Sequence, residues 1–254
     1  EFMADQGVVC VANDHRGHGD SVKTAKDLGY MYEGGQEALI DDMRGVTEAI
    51  RREYPDIPVF MLGHSMGSLA ARVYAREDDS MLDGMILCGS PGYSYLAPLG
   101  YAISTFLNAI GLGRWRPKLA HRLTSDMYNH DFDSEGPMAW ICSDPQVCKD
   151  YIENPKTGFR FTVNANKVLM GLMIGAYSSR GPKAGKKYMP VIFLSGGDDP
   201  CIGGTHGLDK ALAAMHAAGY MDICKKTYPA MRHEVLNEIG KERVWQDVLD
   251  FMNL

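Results

Sequence analysis

Positive charge is scarce in this sequence. It has 26 Lys and Arg residues against 32 Asp and Glu residues, so its formal net charge is −6 at pH 7. Nucleic acids are bound through a basic face that neutralises phosphates, and this balance argues against a nucleic acid as the main partner. The one local group of lysines, at positions 183, 186 and 187, lies in a glycine-rich stretch and is interpreted as a solvated loop.

A long unbroken hydrophobic run is also missing. The most apolar stretch, residues 93–112, is interrupted by Pro98, Gly100 and Asn108, among others. A transmembrane helix needs about 20 consecutive apolar residues. The sequence therefore predicts no membrane span.

Cysteine is sparse and has no metal-binding spacing. The six cysteines form no CxxC pair, which makes zinc a weak hypothesis; they are Cys10, Cys88, Cys142, Cys148, Cys201 and Cys224. Three of them lie in or beside predicted strands, which favours buried free thiols, a reducing compartment and hence a cytoplasmic protein. A disulfide between Cys142 and Cys148 is the alternative. No metal and no other cofactor is predicted.

What the sequence does contain is enough apolar material for one large core. Hydrophobic residues make up 45% of the 254 residues and charged residues 23%, as is typical of a folded domain. Short β-branched runs alternate with amphipathic helical patterns, which predicts an α/β fold with a mostly parallel central sheet and helices on both faces. Strands are predicted at 7–13, 58–63, 84–89, 190–196 and 224–228, and helices at 36–53, 65–76, 205–218 and around 244–251.

One interval breaks this alternation. Residues 91–185 have no strand–helix repeat and are rich in Met, Tyr and Trp, which predicts a helical cap inserted into a core made of residues 1–90 and 186–254. The first residues, EFMADQG, look like the end of a helix that runs into a strand, with no helix start signal before it. We therefore expect that N-terminal strands of the natural domain are missing from this sequence.

The motif that suggests chemistry is Gly63-His64-Ser65-Met66-Gly67. It fits the G-x-S-x-G pattern and lies between a predicted strand and a predicted helix, where a sharp turn can raise a serine hydroxyl above the sheet. The backbone N–H of Met66, at the start of the helix, is then placed to stabilise an oxyanion. Ser65 is the predicted nucleophile, and an ordinary helix-capping serine is the alternative.

A serine nucleophile needs a base and a group that orients the base, and in this architecture the acid precedes the histidine in the chain. Asp198 and Asp199 follow the strand at 190–196, at the end where open α/β sheets place functional groups. Asp199 is favoured of the two. His233 follows the last strand and is favoured over His206, which comes too soon after the acid.

Two other stretches suggest metal sites and are rejected. Asp14, His15 and His18 lie in the loop NDHRGHGDS, whose glycines indicate a tight turn. Residues 131–136 begin like a calcium loop, but Cys142 occupies the place where such a loop requires a glutamate.

In combination, GHSMG, NDHRGHGDS, the acid turn SGGDDP and the base turn RHE resemble the α/β-hydrolase fold enzymes of the lysophospholipase and monoacylglycerol lipase type, close to the serine aminopeptidase S33 hydrolases. The resemblance covers nearly the whole chain, and residues 150–162 are similar to the cap of bacterial members. It implies Ser65, Asp199 and His233 as nucleophile, acid and base. It also implies a second oxyanion donor in an earlier loop that this sequence does not show.

The expected activity is hydrolysis of carboxylic esters through an acyl-enzyme, with lysophospholipids or monoacylglycerols as substrates and a transient contact of the cap with a membrane surface. Candidate substrate contacts are His64, Leu96, Leu99, Phe106, Leu107, Leu169, Met170 and Met173. A small-ester hydrolase or peptidase with the same three residues, and a non-catalytic ligand-binding homologue, are the alternatives. The sequence leaves the oligomeric state open.

Overall fold

A parallel sheet forms the centre of the protein. The structure, a computed structural model, describes residues 1–124 and 126–253. In them the sheet has the order β1-β2-β3-β4, with all pairings parallel; the strands are β1 (Phe60–His64), β2 (Gly84–Cys88), β3 (Val191–Gly196) and β4 (Ile223–Tyr228). β2 and β3 are buried along their whole length, which explains their nearly continuous apolar sequences. The predicted α/β fold is confirmed.

Helices cover both faces of this sheet. They are α1 (Phe2–Asp5), α2 (Gly35–Glu53), α3 (Met66–Glu77), α4 (Ala97–Leu107), α5 (Lys118–Thr124), α6 (Pro145–Glu153), α7 (Val163–Tyr177), α8 (Gly204–Ala218) and α9 (Glu242–Met252). Successive side chains of a strand point to opposite faces. Met85 and Leu87 therefore pack in the larger core with α2, α3, α7 and α8, whereas Ile86 and Cys88 pack in the smaller core with α9.

Residues 7–13 depart from the expectation of a buried strand, which is wrong. They have no regular secondary structure, and Val9 and Val11 are 47% and 53% exposed. Apolar β-branched residues favour a strand only where a neighbouring strand supplies hydrogen-bond partners and packing. Within the described residues no strand pairs with this segment, and β1 is unpaired on its outer edge, where Leu62 is 45% exposed.

The interval between β2 and β3 contains α4 to α7 and, in its described residues, no strand. Helix α4 packs along α7, and α7 is tied to the core through α3. Arg72 donates to the carbonyl of Ala176 at 2.8 Å, and Arg76 donates to the carbonyl of Gly175 at 3.1 Å. Both carbonyls are in the last turn of α7, where positive charge is favourable because of the helix dipole.

Candidate active site

The turn from β1 into α3 holds Ser65 in an unusual backbone conformation. Ser65 has φ +52° and ψ −121°, although it is not a glycine. Its N–H donates to the carbonyl of Cys88 at 3.0 Å, and its own carbonyl accepts from Ser68 N–H at 2.9 Å. Such a conformation costs about 1–3 kcal/mol and is kept only where the surroundings enforce it. The sequence-predicted sharp turn is therefore present at the predicted serine.

Met66 is the first residue of α3. The first N–H groups of a helix have no acceptor within the helix, and they carry the positive end of the helix dipole. Ser65 thus stands directly before a set of N–H groups that favours a negatively charged oxygen.

An acid and a histidine meet next to this turn. Asp199 Oδ2 lies 2.9 Å from His233 Nδ1, and both residues are only 3% exposed. The other carboxylate oxygen, Oδ1, accepts from the N–H of Cys201 at 2.8 Å. The alternative candidates for the acid and the histidine, Asp198 and His206, are both exposed. The structure thus brings together the two residues that the sequence favoured.

Ser65 Oγ and His233 make no direct hydrogen bond in the described part of the chain, although the ring of the preceding residue, His64, lies 4.7 Å from the ring of His233. Hydrogen bonds between catalytic groups are often long in unliganded sites and tighten when substrate is bound. The arrangement is therefore that of a serine beside a buried Asp–His pair.

The electrostatics of His233 suit a general base. Burial lowers the pKa of His233, but the negative charge of Asp199 and the hydrogen bond to it outweigh burial, and the pKa is raised above the ordinary histidine value. The same hydrogen bond holds a proton on Nδ1, which leaves Nε2 as the atom that can accept one. Glu234 contributes a smaller effect in the same direction.

His64, a candidate substrate contact, also contacts the main chain at His233. Its Nε2 lies 3.0 Å from the carbonyl oxygen of His233. Because a carbonyl only accepts, Nε2 must carry the proton. Burial, and then the nearby His233, lower the pKa of His64, so it is a neutral hydrogen-bond donor to the main chain at His233.

Trp140, which no sequence signal had marked, is a second aromatic ring packed against His233. Its ring centroid lies 5.0 Å from that of His233. Trp140 lies in the segment between β2 and β3, and its place beside His233 depends on how that segment packs against the rest of the chain. A tryptophan in a Met- and Tyr-rich stretch is not by itself evidence for such a contact.

Asp199, Cys201 and His233 also place potential metal ligands within 4.8 Å of one another; no other such group is found among the described residues, the loop at 14–18 included. An ion here would need the Nδ1 lone pair, which forces the proton onto Nε2 and breaks the Asp199–His233 hydrogen bond. Burial raises the pKa of the Cys201 thiol, which keeps it protonated. The residues fit an Asp–His pair better than a metal site.

The predicted pocket residues are divided between surface and interior. Leu96, Leu99 and Phe106 are about three-fifths exposed, Met173 is buried in the larger core, and the others, Leu107, Leu169 and Met170, are half-buried. A cavity of about 460 Å³ lies between α2, α3, α7 and residues 178–182, but no residue of the Ser65–Asp199–His233 set lines it. That cavity is therefore separate from the candidate site.

The chain matches a known family and is similar to lipases of known sequence. A family model described as Hydrolase_4, serine aminopeptidase S33, matches residues 1–240. A monoacylglycerol lipase of Mycolicibacterium smegmatis is 24% identical over 254 residues, 97% of this chain and 78% of the relative. A monoglyceride lipase of Rattus norvegicus is 26% identical over 248 residues, 90% of this chain and 71% of the relative.

Solved structures with the same fold include an esterase and a lipase. A thermostable carboxyl esterase from Bacillus coagulans superposes with a TM-score of 0.82 at 25% identity, covering 94% of this chain and 78% of the esterase. A monoglyceride lipase from Saccharomyces cerevisiae superposes with a TM-score of 0.68 at 19% identity, covering 94% of this chain and 75% of that protein, which supports the fold alone. In the described residues, no helix has the length and apolar character that crossing a bilayer requires.

Proposed function

Since this chain belongs to the S33 serine aminopeptidase family of α/β-hydrolases and is a carboxylic ester hydrolase, we propose that Ser65 is its nucleophile, His233 its general base and Asp199 the residue that orients the base. The observation that carries the proposal is the buried 2.9 Å hydrogen bond between Asp199 and His233 beside a serine in a strained turn.

The mechanism follows from these positions. His233 Nε2 takes the proton of Ser65 as Oγ attacks the ester carbonyl, and Asp199 stabilises the imidazolium that forms. The N–H of Met66 donates to the oxyanion, a contribution typically worth about 10²–10³ in rate for one donor. His233 then returns the proton to the leaving alcohol, and water releases the acyl group by the same steps.

The proposed substrates are monoacylglycerols or lysophospholipids. The names of the Mycolicibacterium and rat relatives support an acylglycerol, and the esterase neighbour supports a smaller ester as the alternative. A cap formed by residues 91–185 would cover the acyl chain, with Leu107, Leu169 and Met170 as its half-buried apolar contacts. The six free cysteines support a reducing compartment, the cytoplasm.

We further propose that the cap touches a lipid surface. Large apolar side chains on or beside α4 and α5 are unusually exposed, between 49% and 75%: Tyr95, Leu96, Leu99, Ile103, Phe106, Ile110, Trp115, Leu119 and Leu123. Exposed apolar groups in such number mark interaction sites. A surface of this kind would bring the site to substrates that reside in membranes.

The test is hydrolysis of p-nitrophenyl esters of increasing chain length, followed by a monoacylglycerol, a lysophospholipid and an aminoacyl p-nitroanilide. Wild-type turnover should be abolished by Ser65→Ala. Asp199→Asn and His233→Ala should lose most of the ester hydrolysis activity. Their matched controls at exposed positions, Asp198→Asn and His206→Ala, should keep it. Ester turnover that survives Ser65→Ala, or binding of these esters without any turnover, would contradict the proposal.

A further inference from the structure

Two segments that are far apart in the chain hold the candidate base between them. We call residues 139–143 the cap turn and residues 232–239 the base loop. The backbone N–H of Glu234 and the guanidinium of Arg232 each donate to a main-chain carbonyl of the cap turn, at 2.7 Å in both cases. The residues on both sides of His233 are therefore bonded to the cap turn.

A buried carboxylate fastens these two segments. Glu238 is only 1% exposed. Its Oε1 accepts from the backbone N–H groups of Ser143 and Arg232, both at 2.8 Å. Its Oε2 accepts from the hydroxyl of Ser143 and from the N–H of Ile239. One side chain thus satisfies donors from the cap turn and from the residue that precedes His233.

The cap interval holds the base loop at a second place. Nη2 of Arg232 donates to both carboxylate oxygens of Glu135, at 2.7 and 2.9 Å, and the guanidinium lies 4.1 Å from the centre of the Phe132 ring. Arg232 is only 8% exposed, because residues of the cap interval enclose it. A displacement of the cap turn would therefore pull on the chain directly before His233.

The geometry points to Glu238 as a positioning residue: it locks the cap turn to the base loop, so that His233 is aligned with Asp199 only while the cap turn is docked. The inference rests on the proposed roles of Ser65, Asp199 and His233. It deepens them, because it makes the position of the cap a condition for a competent base.

The action of Glu238 is geometric rather than electrostatic. The negative charges that raise the pKa of His233 are those of Asp199 and Glu234, and Glu238 is not among them. What Glu238 supplies is acceptors for N–H groups that burial would otherwise leave unpaired. A variant that keeps the acceptor at Oε1 but loses the charge should therefore keep most of the function.

The experiment compares Glu238→Gln with Glu238→Ala, with Glu153→Gln on the exposed side of α6 as a matched control. Glutamine retains an oxygen for the N–H groups of Ser143 and Arg232, so kcat should stay within about tenfold of wild type. Alanine releases both, and because a misplacement of about 1 Å costs about 100-fold in rate, kcat should fall by about that factor with little change in KM. Glu153→Gln should match wild type.

Two readouts separate positioning from loss of structure. The acid limb of the pH profile of kcat/KM should not move in Glu238→Gln, whereas in Glu238→Ala it should move to lower pH, because a misaligned His233 loses part of the interaction with Asp199 that raises its pKa. The strongly deshielded NMR signal of the proton shared by His233 and Asp199 should be weakened in Glu238→Ala and retained in Glu238→Gln. A folded Glu238→Ala with wild-type kcat and an intact signal would overturn the inference, as would a shifted acid limb in Glu238→Gln.

If Glu238→Ala does not fold, Glu238→Asp replaces it, because its carboxylate is withdrawn by one methylene and cannot reach both segments. An unchanged kcat in Glu238→Asp would also overturn the inference. Labelling of the wild type at Ser65 by a fluorophosphonate tests the proposed function separately. Without labelling the proposed function fails, while the shared-proton signal still reports whether Glu238 aligns the Asp199–His233 pair.

Discussion

The two glycines that flank the candidate nucleophile have different neighbours, and alanine should have opposite effects at the two positions. A Cβ at Gly63 would lie 2.5 Å from the carbonyl oxygen of Gly67 and 2.9 Å from the Cα of Ser68. A Cβ at Gly67 would meet nothing within 4 Å. The G-x-S-x-G pattern makes no such distinction.

The magnitudes follow from these distances. To reach an ordinary contact of 3.4 Å, β1 and the start of α3 must separate by about 0.9 Å in Gly63→Ala. Overpacking of this kind costs about 1–3 kcal/mol, and a shift of about 1 Å in a reacting group costs about 100-fold in rate. Gly67→Ala adds a better helix former and should stabilise by up to about 1 kcal/mol.

The assay measures kcat/KM with a p-nitrophenyl ester together with the thermal midpoint. Gly63→Ala should lower kcat/KM by about 100-fold and reduce the midpoint, by about 2–4 °C for each kcal/mol. Gly67→Ala should keep kcat/KM within about threefold and should not lower the midpoint. The reasoning is refuted if Gly63→Ala behaves as wild type, or if the two variants lose activity equally.

Two further predictions concern the acid, the base and the nucleophile. Ser65→Gly should be inactive yet about 1 kcal/mol more stable than Ser65→Ala, because glycine relieves the positive φ; equal thermal midpoints would show that the turn is unstrained. Asp199→Asn removes the charge that raises the pKa of His233. Since the base must be neutral, activity is lost as the pH falls through that pKa, so the acid limb of kcat/KM should move to lower pH in Asp199→Asn; an unmoved limb would assign it to another group.

The failed expectation at residues 7–13 shows how far local pattern reaches. The valines at positions 8, 9 and 11 give this segment the composition of a buried strand, but whether it becomes one depends on a partner strand, which composition does not specify. The segments that became β2 and β3 have the same kind of sequence and are buried because each has a neighbour on both sides.

The sequence by itself determined the parallel sheet with its helices, and it marked Ser65, because a strand, a sharp turn and a helix are encoded within one short stretch. It also narrowed the acid and the base to two candidates each, since chain order and strand ends restrict where these residues can stand. These signals are local, so a single sequence is enough to read them.

Only the tertiary structure decided the rest. Burial and a hydrogen bond to His233, 34 positions away, distinguish Asp199 from its exposed neighbour Asp198. Two contacts join segments about 95 residues apart: the ring contact of Trp140 with His233 and the hydrogen bonds of Ser143 to Glu238. Such contacts depend on how the segment between β2 and β3 packs against the rest of the chain. That packing results from many weak interactions spread along the chain, which no short pattern specifies.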